Sequence, residues 1–210
     1  MKISQRTRRA ADWNDTDIRQ IDDPGHDILV VSRPLPVDCF HLLVGAAVGE
    51  VRVKTTARAA ASKIARGLSR LHIAFPGRDR ELLTEDIFGL VCGMLVTFDW
   101  PRVEVRMEVA DTQSCPKFHC DNVTVRLVTT YTGPGTEYIA RSAPQTIHQA
   151  PAGALVFLKG HRHPTHGDQI LHRSPELTPG NRRLTVAIDS ADWSDPLADV
   201  PSLPPPQWPR

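Results

Sequence analysis

The hydrophobic pattern of the chain changes character near Trp100. Before it, apolar residues recur every three or four positions. Ile64, Leu68 and Leu71 form one stripe of a helix predicted over residues 55–71, with Arg58, Lys63, Arg66 and Arg70 on the other side. A turn at Pro76-Gly77 leads to a second predicted helix, with Thr84 as its N-cap and Glu85 and Asp86 in its first turn, where they suit the helix dipole. Ile87, Leu90, Val91, Met94, Leu95 and Phe98 continue it, and Pro101 bounds it. Upstream, DILVVS at 27–32 reads as a strand broken by Pro34 and Pro36, and 37–48 reads as a further helix. Residues 1 to about 25 are polar and charged and read as a loose arm ending in the turn Asp22-Asp23-Pro24-Gly25.

After Trp100 the period becomes two. Val103, Val105 and Met107 alternate with Glu104, Arg106 and Glu108, the pattern of a half-buried strand. Short β-branched or apolar runs follow at 123–131, 137–140, 154–158, 169–172 and 183–188, separated by turns such as Gly133-Pro134-Gly135. Several short strands at this spacing predict a sandwich or barrel. The expected fold class is α+β. A mainly helical part (26–100) packs on a β-sandwich core (101–194) within one domain, followed by a Pro-rich tail from 195 to 210.

Composition narrows the function classes more than the fold. The 210 residues are 40% apolar and 23% charged, with a formal net charge of +1. There is no global pull toward nucleic acid or a membrane surface. No apolar run is long enough to span a bilayer. The N-terminal stretch lacks the apolar core of a secretory signal, so the expected location is the cytoplasm. The cysteines Cys39, Cys92, Cys115 and Cys120 contain no CxxC pair and predict no disulfide framework.

The candidate chemistry lies in Phe118-His119-Cys120-Asp121, His172 and the pair Arg182-Arg183. Two imidazoles and one carboxylate on one face serve iron(II) and leave positions open for a chelating cosubstrate and oxygen. His119 and Asp121 stand at i and i+2, which on a strand point the same way. His172 ends the run Gln169-Ile170-Leu171 and sits at a strand end. Arginine on the next strand suits a two-pronged ion pair with a dicarboxylate. Arg183 is preferred over Arg182, because Leu184, Val186 and Ile188 would share the face of Arg182, and Thr185 shares that of Arg183. Arg126 and Tyr131, on the strand after the His-x-Asp, are further candidates for a cosubstrate pocket.

Three blocks, FHCD followed by VTVRLVTTYTGPGTEY, then GALVFLKG, then LHRSPELTPGNRRLTVAID, carry a family resemblance. Residues 115–190 resemble the double-stranded β-helix (jelly-roll, cupin-like) of the iron(II)/2-oxoglutarate-dependent dioxygenases. The wider pattern resembles a family of uncharacterised bacterial proteins, a domain of unknown function. The resemblance implies His119, Asp121 and His172 as iron ligands and Arg183 or Arg182 as the anchor of the cosubstrate 2-oxoglutarate. It implies an oxygenase of hydroxylase type on a small-molecule or peptide substrate.

Rival readings use the same residues. His166-Gly167-Asp168 is a second His-x-Asp, in a loop with no strand behind it. His161, His163 and His166, with His172, offer a zinc cluster; the alternatives are a solvated loop or a lid over the iron site. Cys115, His119 and Cys120 are another zinc set, for a non-catalytic metal-handling protein, although Cys120 should face away from a metal held by its neighbours. A metal-free sandwich that serves as an interaction module is the third class. The basic helix lacks the interleaved aromatics that nucleic-acid binding would want.

Overall fold

The computed structural model describes residues 5–7, 15–37, 43, 45–75 and 78–191. Among the described residues, ten strands and three α-helices follow in the order β1 (Gln5–Thr7), α1 (Asp15–Ile18), β2 (Ile28–Ser32), β3 (Gly49–Thr55), α2 (Ala57–Arg70), α3 (Asp79–Thr97), β4 (Val103–Ala110), β5 (Val125–Thr132), β6 (Glu137–Ala140), β7 (Ala143–Gln149), β8 (Leu155–Lys159), β9 (Ile170–Arg173) and β10 (Arg183–Ser190). Seven strands form one sheet in the order β1-β2-β8-β5-β10-β4-β3, and three form a second in the order β7-β6-β9. Only β1 on β2 pairs in parallel; the other pairings are antiparallel.

The period-two pattern of the strands builds two cores, one on each face of the large sheet. Leu127, Tyr131, Phe157, Leu184, Val186 and Ile188 join Ile64, Leu68, Leu83, Ile87, Leu90 and Met94 of the helices. The intervening residues Ile28, Val30, Val128, Val156, Leu158 and Ala187 join Tyr138, Ala140 and Ile170 of the small sheet. Helices, large sheet and small sheet are therefore three layers, mostly β. Helix α2 approaches the sheet closely through Gly67, where a Cβ would run into the Met107 side chain.

Several expectations are corrected. Helix α3 starts at Asp79, a turn and a half before Thr84, and no side chain caps it. Asp79 and Glu81 supply the favourable first-turn charge, and Leu83 extends the buried stripe. Thr84 is thus interior, and its hydroxyl is buried without a hydrogen-bond partner. Asp86 has no role at a helix terminus; it is buried against Arg33. Residues 15–22 are not a loose arm: α1 and a 3-10 turn (Arg19–Asp22) bury Ile18 and Ile21 in the core. The described residues 45–48 of the helix expected over 37–48 are not helical, and β3 follows. The Pro76-Gly77 turn and the tail from 195 onward lie outside the described residues. No described helix is long and apolar enough to cross a membrane.

Candidate metal centre

The segment before β5 is irregular, and it is held on both sides. Towards the small sheet, His119 and His172 form an isolated antiparallel bridge, each amide donating to the other's carbonyl at 2.9 Å. The Ser174 amide donates to the Cys115 carbonyl at 3.1 Å, and the Arg173 guanidinium lies 4.3 Å above the Phe118 ring. On the other side, the amides of Gly160, His161 and Arg162 donate to the carbonyls of Thr124, Asp121 and Val123 at 2.9–3.0 Å. Gly160 is needed there, because a Cβ would meet the carbonyl oxygens of Val123 and Asp121. Gly160→Ala is expected to cost about 1–3 kcal/mol of stability, the scale of overpacking, read as a lowered midpoint in urea unfolding.

This bracing brings His119, Asp121 and His172 together. Their ligand atoms all lie within 4.8 Å of one another. His172 Nε2 stands 3.1 Å from Asp121 Oδ2, and His119 Nε2 stands 3.6 Å from Asp121 Oδ1. Ligands about 2.1 Å from a shared ion and at right angles to each other stand about 3 Å apart. Asp121 Oδ2 is buried without a hydrogen-bond partner, since the His172 contact lies off the hydrogen-bond direction. An orphaned carboxylate oxygen facing two imidazole nitrogens is a seat for a cation. His119 Nδ1 lies 2.9 Å from the Lys117 carbonyl. A carbonyl only accepts, so Nδ1 carries a proton and Nε2 is the nitrogen turned to Asp121, as metal-ligating histidines are typically oriented.

The electrostatics keep the site ready for a cation. Burial alone would push the Asp121 carboxyl up, but His119, His172 and Arg126 outweigh it and hold it far below the usual carboxylate range. Asp121 in turn raises His119 against the effect of burial. Arg126 bridges two carboxylates: Nη1 reaches Asp121 Oδ1 at 2.6 Å, while Nε and Nη2 donate to Asp189 at 2.7 and 2.6 Å.

The three side chains open onto a cleft of about 250 Å³ between the sheets, lined also by Arg106, Glu108, Arg126, Arg173, Arg183 and Thr185. Arg183 is buried, and its guanidinium donates to neutral oxygens: the Pro134 carbonyl at 2.9 Å and the hydroxyls of Thr130 and Thr136 at 3.0 and 3.2 Å. Among the described residues no carboxylate pairs with it. Burial pulls its pKa down to about 10, and the charge of Glu108 across the cleft opposes that only in part.

Two candidates leave the site. Arg182 points the opposite way, donating to the backbone carbonyls of Leu43 and Ala46. Tyr131 is buried in the helix-side core and donates to Asp86 Oδ2 at 2.6 Å. Arg126 and Tyr131 are an odd number of residues apart on one strand, so they cannot share a face. The even positions do: Thr130, not Tyr131, joins Arg126 and Val128 on the cleft side, a signal legible from alternation alone.

The rival zinc sets are not assembled as expected. His163 turns away to Asp22, at 3.1 Å, and His172 belongs to the cleft. Cys115 lines the cleft, whereas Cys120 faces away from it, towards His166. The loop after β8 is largely solvent-exposed, as a solvated loop would be, but its backbone is pinned: Asp27 accepts the amides of Gly167 and Gln169 at 2.9 and 2.7 Å, and buried Lys159 donates to Thr165. None of residues 161–168 lines the cleft.

Comparison with known proteins agrees with this architecture. The rice dioxygenase for auxin oxidation is similar in fold, with a TM-score of 0.50, 14% identity, and coverage of 90% of this chain and 83% of that one. DAO1 from Arabidopsis thaliana, solved as a binary complex with 2-oxoglutarate, gives a TM-score of 0.50 at 12% identity over 96% of this chain and 98% of that one. The fold is that of the iron(II)/2-oxoglutarate-dependent dioxygenases. The chain belongs to the DUF1826 family of proteins of unknown function, whose profile matches residues 13–189. No curated protein matches the sequence.

Proposed function

We infer that this chain is an iron(II)- and 2-oxoglutarate-dependent oxygenase of hydroxylase type, built on a double-stranded β-helix. The carrying observation is that a His-Asp-His cluster and a buried guanidinium without a counter-anion open onto the same cleft. Arginine is a natural partner for a carboxylate, and leaving its charge buried and unpaired is costly. A zinc-handling protein would have no use for that charge.

His119 Nε2, Asp121 and His172 would hold the iron. Arg183, with the Thr185 hydroxyl beside it, would take the far carboxylate of 2-oxoglutarate. When bound, iron would supply, with 2-oxoglutarate and dioxygen, an oxidative decarboxylation that puts one oxygen atom into succinate, releases carbon dioxide and leaves the other for hydroxylation of the substrate. The chain's own part is positional. Arg126 fixes one oxygen of Asp121 and leaves the other free for the metal. The Lys117 carbonyl sets the His119 tautomer. Thr130, Thr136 and Pro134 hold the Arg183 guanidinium at a fixed orientation before any anion arrives. The substrate, a small molecule or peptide, would enter beside Arg106, Arg173 and Glu108.

Arg183→Leu is expected to raise the KM for 2-oxoglutarate by about 100-fold, the scale of removing one partner of a buried charge pair. Iron occupancy should remain unchanged. An unchanged KM would remove Arg183 as the anchor. A new visible absorption band on anaerobic addition of 2-oxoglutarate to the iron-loaded protein, together with uncoupled succinate formation, tests the function as a whole. No band and no succinate formation in the iron-loaded protein on addition of 2-oxoglutarate would overturn it.

A further inference from the structure

Behind Asp121, on the side away from the cleft, three more ligand-type side chains converge. Cys120 Sγ and one ring nitrogen each of His161 and His166 all lie within 4.8 Å of one another. Cys120 Sγ stands 4.0 Å from His166 Nε2, and the rings of His161 and His166 meet edge to face with centroids 4.8 Å apart. In a tetrahedral zinc site with bonds of about 2.3 Å to sulfur and 2.0 Å to nitrogen, the two ligand types stand about 3.5 Å apart. The cluster therefore needs to close by only a few tenths of an ångström along that edge.

The cluster's hydrogen bonds to protein are few and weak. His166 Nδ1 is buried without a hydrogen-bond partner. Its Nε2 faces the sulfur and lies 3.8 Å from Asp168 Oδ1, beyond hydrogen-bond reach. The thiol has only weak carbonyl contacts, to Asp121 at 3.7 Å and Lys159 at 3.6 Å. The backbone beneath it is fixed. The Gly160, His161 and Arg162 amides bind the Cys120-bearing loop, and Asp27 and Lys159 pin 165–169. Such a frame holds ligands in place before the ion arrives, which a solvated histidine loop could not do.

The geometry points to a second metal site, separate from the His119–Asp121–His172 centre, in which Cys120, His161 and His166 bind a soft divalent ion of the zinc class. Thiolate with imidazole selects zinc over the hard ions, and the fourth position is left to water or to Asp168. Its role is structural. The His161 amide already donates to the Asp121 carbonyl at 2.9 Å. An ion joining His161 and His166 to Cys120 locks the two loops together and braces Asp121 from behind. Nothing in this depends on which metal the cleft holds.

Metal-stripped full-length protein is titrated with cobalt(II), then zinc. Thiolate-to-cobalt charge-transfer absorption should appear at one equivalent of site, and zinc should bleach it. It should persist in Asp121→Ala and Cys115→Ala, vanish in Cys120→Ala, and need at least about 10-fold more cobalt in His166→Ala, the loss expected when one of three protein ligands is removed. In an Asp121→Ala background zinc should raise the Tm, and adding His161→Ala, at an exposed position, should abolish the rise. Absence of the band in wild type, its survival in Cys120→Ala, or its loss in Asp121→Ala (one shared site) overturns the proposal. Because Asp121→Ala removes the cleft centre alone, failure of this second site is distinguishable from failure of the oxygenase reading. Should Cys120→Ala not fold, the His161→Ala arm decides.

Discussion

Asp121→Ala is expected to reduce succinate formation by roughly three orders of magnitude, about 4 kcal/mol in the barrier, and to abolish iron-dependent thermal stabilisation. The reason is specific to this carboxylate. Among the described residues it is the anion that stands between the two imidazoles, and one of its oxygens is buried without a hydrogen-bond partner. Removing it leaves His119 and His172 as two imidazole ligands on β-bridged backbone, too few to hold iron(II) against water. The fold should survive, because Arg126 keeps its two hydrogen bonds to Asp189 and the backbone bridge between His119 and His172 is untouched. Equal melting temperatures of variant and wild type in chelator, with a shift on adding iron or manganese only in wild type, would separate loss of metal from loss of structure. His119→Ala should behave likewise. Turnover surviving both changes would end the oxygenase reading.

What the sequence made legible was local or periodic. The order His119, Asp121, His172, Arg183 could be read because ligand types and strand alternation are written in neighbouring residues. The same alternation separates Arg183, on the cleft face, from Arg182, bound to the backbone of Leu43 and Ala46. Where alternation was not applied the reading failed, as with Tyr131. Strand β7 escaped because it is an exposed edge of the small sheet and has little apolar face to show. Strand β3 escaped for a related reason: at the edge of the large sheet, Val51 and Val53 are only half buried. Partners distant in sequence were invisible. Nothing in Arg126 announces Asp189, and nothing in the Cys120 neighbourhood announces His161 and His166.

Asp86 is the clearest such case, and it carries the largest expected effect on stability. The Arg33 and Asp86 side chains are 1% and 3% exposed. They meet as a two-pronged pair, with Nη2 to Oδ2 at 2.8 Å. Arg33 Nε donates to the Gly153 carbonyl at 3.0 Å, and the Tyr131 hydroxyl donates to Asp86 at 2.6 Å. Burial opposes the Arg33 charge, and Asp86 outweighs it. The network ties α3 to the segment after β2 and to β5. Asp86→Ala leaves the guanidinium buried and unpaired, so a loss of about 3–5 kcal/mol is expected, read from urea unfolding of the apo protein. Tyr131→Phe should cost less, about 1.5–3 kcal/mol, the net worth of a hydrogen bond to a charged group. The double change Arg33→Met with Asp86→Leu should recover most of the loss, because the cost lies in the orphaned charge and not in a missing attraction. If the double variant is instead as unstable as Asp86→Ala, the pair contributes through geometry that hydrophobic side chains cannot replace, and the desolvation account of this network is wrong.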